Sequence, residues 1–447
     1  MRIVIIGGTA AGMSAAAKLR RVDKTAEVIV YEKRSYVSFG ACGLPYFVGD
    51  FFANTNQMIA RSAEKTRESG IELFTEHEVI SVDAVQKTVT VKNLAGETFT
   101  DTYDKLMVAT GATPTMPPFE NRDIKNVFTL HSMEDGIQVK EAMKSDKVKR
   151  VGIIGAGFIG LEVVEAAMHY GKEIHVFQKG DRILNQPFDQ EITMILEEEL
   201  QNKGVNLHLN SEVTGFVGEE SVSGIICENE VLPVDMVVVA VGVKPNTAFL
   251  ESVGFNRMQN GAIVVDEHGR TSVEDIYAAG DCATVPHMLH ENPVYIPLAT
   301  SANKLGRIVG ENLGGMDTRY QPTLGSSCIK VLDMEAGVTG LTESQAKALG
   351  IPYATTWVTD RNQTDYYPGQ EKIHVKLVYH ADTNVLLGGQ VVGKKDAVLR
   401  VDVLAMAIQC KMTTMQLGMM DFCYAPPFAR TWDVLNIAGN AAKPIKR

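Results

Sequence analysis

The chain has 447 residues, 45% of them hydrophobic and 22% charged, with a formal net charge of −11. That length exceeds one ordinary core and predicts a globular protein of two or three domains; the acidic balance excludes the basic face that nucleic-acid binding needs. Six scattered cysteines with no C-x-x-C make no disulfide framework and fit a reducing compartment, and without a secretory pattern or a bilayer-length apolar run the expected location is the cytoplasm, away from membranes.

In chain order, the first predicted unit is strand, turn and helix. "RIVII" (Arg2–Ile6) is apolar throughout, as in a parallel strand covered on both faces. It runs into "GGTAAG", which holds Gly7, Gly8, Ala11 and Gly12, and then into an alanine-rich helix, "MSAAAKLRRV". The next strand, "AEVIVYE", ends on Glu32, twenty residues after Gly12. Glycines let a backbone approach a pyrophosphate, the helix N-terminus supplies positive dipole, and the acid bonds ribose hydroxyls. Thr9 stands where the fingerprint has its middle glycine, so a purely structural turn is the competing reading. The run "KLRRVDK" (Lys18, Arg20, Arg21, Lys24) is either a solvated cationic face or a phosphate contact.

"SFGACGLPY" (Ser38–Tyr46) follows, with one cysteine among small residues. Cys42 is either a small buried hydrophobe or a thiolate whose pKa is lowered by a helix starting near Pro45. "YDKLMVATGATP" (Tyr103–Pro114) predicts a strand ending in Ala109-Thr110-Gly111.

At mid-chain the dinucleotide pattern returns. "RVGIIGAGFIGLEVVEAA" sets Gly155, Gly157 and Gly160 between strand and helix, and "KEIHVFQKG" puts Gln178 and Lys179 where an acid would normally sit. A carboxylate there favours NAD and repels the extra phosphate of NADP, so this unit is expected to accept NADPH at least comparably to NADH. "DMVVVAVGVKPN" closes the unit at Gly242, and "TSVEDIYAAGDC" predicts another strand ending in Gly280-Asp281. Asp281 lies where ligands bind in open α/β sheets, or caps a helix. From about Tyr320 the chain turns β-rich, followed by a methionine-rich helix over Val401–Met420. Methionine at helical spacing reads as core or subunit interface.

Two dinucleotide units, "SFGACGLPY", "ATGATP", "YAAGDC" and a terminal "FCYAPPFARTWD" run in one order through nearly the whole chain. This set resembles the single-cysteine branch of the FAD-dependent pyridine nucleotide-disulfide oxidoreductases: coenzyme A-disulfide reductases, NADH oxidases and NADH peroxidases. The resemblance implies an α/β fold with two Rossmann-like domains, as in glutathione reductase, plus a C-terminal α+β dimerisation domain. The expected boundaries are 1–112 with 245–320 for FAD, 113–244 for NAD(P)H, and 321–447 for dimerisation.

By the same resemblance, FAD is held by Gly7, Gly8, Ala11, Gly12, Glu32, Lys33 and Ser38, by the Val79 backbone beside His77, and by Ala109, Thr110, Gly111, Gly280, Asp281 and Ala299. NADPH or NADH is held by Gly155, Gly157, Phe158, Ile159, Gly160, Glu162, Gln178, Lys179 and Gly242. Cys42 is the redox centre, and Tyr424 of a homodimer reaches the other subunit's site. Tyr366 and Tyr367 are further candidate proton donors, and Lys18, Arg21 and Ser38 are substrate contacts. No metal is expected. Ala10 replaces the histidine of peroxidase and many oxidase members, and Leu44-Pro45-Tyr46 after the cysteine leans to the coenzyme A-disulfide reductase type. Ala41 departs from the asparagine common in such reductases. Asn303, where some relatives carry histidine, receives no acid–base role. The expected reaction is reduction of coenzyme A disulfide or a persulfide; the alternative is an NAD(P)H oxidase that reduces oxygen to water through a cysteine sulfenic acid. An electron-transfer reductase for a ferredoxin or rubredoxin is disfavoured by Cys42.

Overall fold

The computed structural model describes residues 1–442; residues 443–447, the tail of the expected third domain, lie outside the described residues. The strand Arg2–Ile6 sits at the centre of a parallel sheet in the order Ile276–Ala278, Lys105–Val108, Arg2–Ile6, Glu27–Glu32, Glu72–Thr75. Ile3, Val4 and Ile5 are fully buried, as an apolar strand covered on both faces requires. The sheet closes only when the chain returns at Ile276, so the segments before and after the mid-chain unit share one core.

The helix Ala10–Val22 starts inside the glycine turn and packs along the helix Ala299–Leu313. Gly306 makes that approach possible, because a Cβ there would fall 2.4 Å from the Ala11 carbonyl oxygen.

The mid-chain unit repeats the plan. Its parallel sheet runs Asn206–Leu209, Glu173–Gln178, Arg150–Ile154, Met236–Val239, Val127–Phe128, with the helix Phe158–His169 following the glycine turn. The last third forms a five-stranded antiparallel sheet, Ser327–Val331, Met334–Gly340, Leu386–Gly393, Lys372–His380, Tyr353–Arg361, against which the helix Ala397–Gln409 packs.

The fold is thus α/β with two nucleotide-type sheets and a C-terminal α+β unit. One element differs from expectation. The methionine-rich segment is two helices, Ala397–Gln409 and Thr414–Gly418. Lys411 adopts a left-handed φ of 53°, and Thr413 with Gln416 forms a capping box that starts the second helix. Among the described residues no helix is long and apolar enough to cross a membrane.

Candidate active site

Two glycine turns set up two sites by the same backbone device. Gly7 (φ 107°) and Gly155 (φ 100°) lie where a Cβ would meet the carbonyl oxygen of Ala109 at 2.2 Å and of Ala240 at 2.4 Å. Only glycine tolerates both the dihedral and the contact. Gly12 and Gly160 each press against the first glycine of their own turn, where a Cβ would stand 2.0 Å from its carbonyl oxygen. Thr9 has φ −102°, open to any residue, which explains how the fingerprint survives without its middle glycine.

The strand-end residues match as well. Glu32, buried, accepts from the Gly8 N–H at 2.7 Å and from the Arg34 N–H at 2.9 Å. Gln178 occupies the equivalent place and accepts from the Ala156 N–H at 3.0 Å.

A continuous cleft of about 1770 Å³ opens at the C-terminal edge of the first sheet. That exceeds the room a single drug-sized ligand uses. Glu32, Lys33, Val79, Gly7, Ala11, Ala109, Thr110, Gly111, Gly280, Asp281 and Ala299 line the cleft, together with Ser38 and Cys42. Gly8 and Gly12 belong to the same turn as Gly7 but not to the lining. Ser38 is held at a left-handed φ of 53° by backbone bonds to Gly8 and Ala60, a strained geometry that aims its side of the chain at the cleft. Burial raises the Asp281 carboxyl above the ordinary aspartate range. His131, which also lines the cleft, is pushed down by burial and then by Arg34.

Cys42 sits in a short turn, Ala41–Gly43, ahead of the helix Leu44–Val48 with Pro45 in its first turn. The expected helix start is present, but the expected fall in pKa is not. Cys42 opens to solvent through the cleft, yet the atoms packed around its sulfur desolvate a thiolate, and Glu162 and then Asp281 add negative potential, so its pKa is raised. A helix of one turn carries too small a dipole to offset this. Glu162 itself lies on the helix Phe158–His169, where burial lifts its pKa to about 7, and it accepts a hydrogen bond from the Tyr46 hydroxyl at 3.4 Å. No other cysteine lines the cleft among the described residues, and Cys282, next to Asp281, is fully buried.

The cations divide. Lys18 is ion-paired with Glu311 at 2.8 Å, and Arg20 turns back to the carbonyls of Lys24 and Ala26. Arg21 is exposed among the cleft's lining residues and has no ion pair among the described residues; Lys304 and Arg307 join it there, although the Arg307 Nε also lies 3.6 Å from Glu311. Asn303 lines the same cleft and accepts from the Ser14 hydroxyl at 2.7 Å.

Gly155, Gly157, Phe158, Ile159, Gly160, Gln178, Lys179 and Gly242 lie at the turns of the second sheet, outside this cleft. Tyr366, Tyr367 and Tyr424 are exposed on the C-terminal unit and do not line the cleft of their own chain. The hydroxyls of Tyr366 and Tyr424 are 3.2 Å apart. Sequence reading took Tyr46 as a mark of the reductase type without giving it a partner, and passed over His131, Lys304 and Arg307. None of these three stands in a glycine motif, and only the charges just after Asn303 gave any signal.

Residues 1–306 match the model of a family described as pyridine nucleotide-disulphide oxidoreductase, and residues 326–434 match the dimerisation domain of the same family. A NAD(P)H coenzyme A polysulfide/persulfide reductase of Pyrococcus horikoshii is 37% identical over 99% of this chain and 98% of its own. A coenzyme A disulfide reductase of Staphylococcus aureus is 32% identical over 99% of this chain and 100% of its own. Among solved structures, a water-forming NADH oxidase from Lactobacillus brevis bound to NADH aligns with a TM-score of 0.95 at 31% identity, covering 99% of this chain and 98% of that one.

Proposed function

The chain belongs to the pyridine nucleotide-disulphide oxidoreductase family, and we propose that it reduces a small disulfide or persulfide, coenzyme A disulfide foremost, through Cys42 alone. The family is FAD-dependent and draws electrons from NADH or NADPH. The carrying observation is one cleft lined both by Glu32 with its glycine turn and by a single open cysteine, with exposed cations among its lining residues.

The residues present fit FAD. Beyond the turn at Gly7 the helix Ala10–Val22 starts with no side-chain cap, an N-terminus suited to a pyrophosphate. Glu32 with Lys33 suits a ribose, Val79 an adenine edge, and Asp281 a chain hydroxyl that can donate to its carboxylate. The segments 1–112 and 245–320 would form the FAD domain, 113–244 the NAD(P)H domain around Gly155 and Gln178, and 321–442 the described part of the dimerisation domain.

When bound, FAD supplies two-electron transfer from NAD(P)H to sulfur. The Cys42 thiolate attacks one sulfur of the substrate; the S–S bond breaks, one half leaves as a thiolate, and a Cys42–substrate mixed disulfide forms. Two electrons then cleave that disulfide, releasing the second half and restoring the Cys42 thiolate. Each departing thiolate takes up a proton. Arg21, with Lys304 and Arg307, holds the phosphates of a coenzyme A moiety while Ser38 orients its thiol end. Tyr424, paired with Tyr366, is delivered by a second copy and donates a proton to the leaving sulfur, with Tyr367 in the same loop. The working unit is therefore a homodimer, in the cytoplasm, where thiols stay reduced.

Consumption of NADH and NADPH, followed in parallel with coenzyme A disulfide under anaerobic conditions and with oxygen alone, tests this. Faster turnover with the disulfide supports it; oxygen-dependent turnover to water with no disulfide reduction overturns it in favour of an oxidase.

A further inference from the structure

The nicotinamide nucleotide choice turns on a residue that the glycine motif does not contain. The strand Glu173–Gln178 ends beside the strand Asn206–Leu209, with Gln178 opposite Leu209. Past both ends the two chains remain zipped: the Ser211 N–H donates to the Gln178 carbonyl at 3.0 Å, and the Asn210 N–H to the Gly180 carbonyl at 2.9 Å. Asn210 takes a left-handed φ of 54°, which swings the chain across the sheet's C-terminal edge. This places Glu212 against Lys179, whose Nζ donates to Glu212 Oε1 at 2.6 Å.

At this edge of a dinucleotide-binding sheet, an acid bonds the adenosine 2′-hydroxyl and a cation accommodates a 2′-phosphate. Gln178 carries no charge, so it neither repels the phosphate nor attracts it. Lys179 is the cation next in line, and Glu212 already neutralises it. Arg182, the next cation along the loop, is engaged with the carbonyls of Asn185 and Phe188.

We propose that Glu212 is a specificity-determining residue for the nicotinamide nucleotide: it competes with the 2′-phosphate for Lys179 and so holds back NADPH without affecting NADH. This rests on the assignment of the second sheet as the NAD(P)H site. A 2′-phosphate must displace the Glu212 carboxylate and is repelled by it, whereas a 2′-hydroxyl disturbs neither. Exposed ion pairs are weak, about 1 kcal/mol or less, which corresponds to roughly a fivefold effect on binding. Glu212 therefore tunes a preference and does not forbid a cofactor.

The test uses the FAD-loaded full-length protein and two probes, 2′,5′-ADP and 5′-AMP, with dissociation constants from calorimetry at low salt. Glu212→Gln should tighten 2′,5′-ADP by about fivefold and leave 5′-AMP within about twofold. Lys179→Gln should weaken 2′,5′-ADP, and in the double variant the gain from Glu212→Gln should vanish. Equal changes for both nucleotides, or a gain that persists without Lys179, would overturn the role of Glu212 while leaving the site assignment intact. If neither nucleotide binds the wild-type protein, both the assignment and the role of Glu212 fall.

Discussion

Cys42 and Tyr46 belong to one short segment and Glu162 to the distant helix Phe158–His169, yet the Tyr46 hydroxyl bonds Glu162 across 116 positions. Glu162 ionises near neutral pH because burial disfavours its anion, and once ionised it opposes the Cys42 thiolate. Glu162→Gln should therefore shift the pH midpoint of Cys42 alkylation by iodoacetamide downward, since a neutral amide removes the repulsion. An unchanged midpoint would mean the carboxylate is screened from the sulfur. Stability follows with its own sign. The folded pKa of about 7 lies above the ordinary 4.5, so the folded state binds the extra proton between these values. The associated stability is fully present below the unfolded pKa and lost as pH rises through 7. The variant should match wild type at about pH 3.5, below the unfolded pKa, and exceed it at about pH 8, by at most about 3 kcal/mol, in thermal or denaturant unfolding. At this scale the glycines, Glu32 and Gln178 were legible because each is fixed by its place after an apolar strand. The pairings of Glu162 with Tyr46 and of Glu212 with Lys179 were not, because tertiary contact leaves no periodic trace.

Between the second sheet and the C-terminal unit, Lys376 is buried among carboxylates. Its Nζ lies 2.8 Å from Glu191, 2.7 Å from Glu343 and 3.4 Å from Asp189. Asp189 is also buried and receives the Gln390 amide at 2.6 Å. The strand Lys372–His380 is thereby tied to the helix Gln190–Asn202. Glu191 and Glu343 are partly exposed, so the charge left uncompensated in the interior is Asp189's, and breaking a buried pair from one side costs about 3–5 kcal/mol at most. Lys376→Met should lower the unfolding midpoint sharply, and adding Asp189→Asn should recover part of the loss by removing the stranded charge. If the single variant melts like wild type, the cluster is solvated and contributes no latch. The strands of the nucleotide units were readable from apolar runs ending in glycine, and the C-terminal α+β unit from its β-rich texture, though not the antiparallel order of its sheet. The break at Lys411 was not readable, since a lysine in the left-handed region has no sequence signature.

Over the whole molecule, the C-terminal unit leaves Leu399, Met406, Met415, Phe428 and Tyr366 more than two-thirds exposed, at 68%, 67%, 70%, 72% and 74%. Apolar groups gathered on one unit mark a contact surface, and residues 326–434 of this unit match a dimerisation domain. If Tyr424 serves the Cys42 of the other copy, complementation follows. Tyr424→Phe homodimers should turn over slowly and Cys42→Ser homodimers not at all. A heterodimer carrying one change in each subunit then contains one intact site and should regain about half the wild-type rate per dimer. A heterodimer no faster than half the Tyr424→Phe rate would place both residues in one subunit's site.

The most direct measurement compares Cys42→Ser with wild type in anaerobic disulfide reduction, alongside the flavin spectrum. Serine keeps the size of the side chain but can neither attack a disulfide nor hold a mixed one. The variant should still bind FAD and still bleach the flavin absorbance with NAD(P)H, because the residues of both nucleotide sites are untouched, while reduction of coenzyme A disulfide falls to background. Full disulfide reductase activity in Cys42→Ser would contradict the account and make this cysteine a bystander in its own cleft.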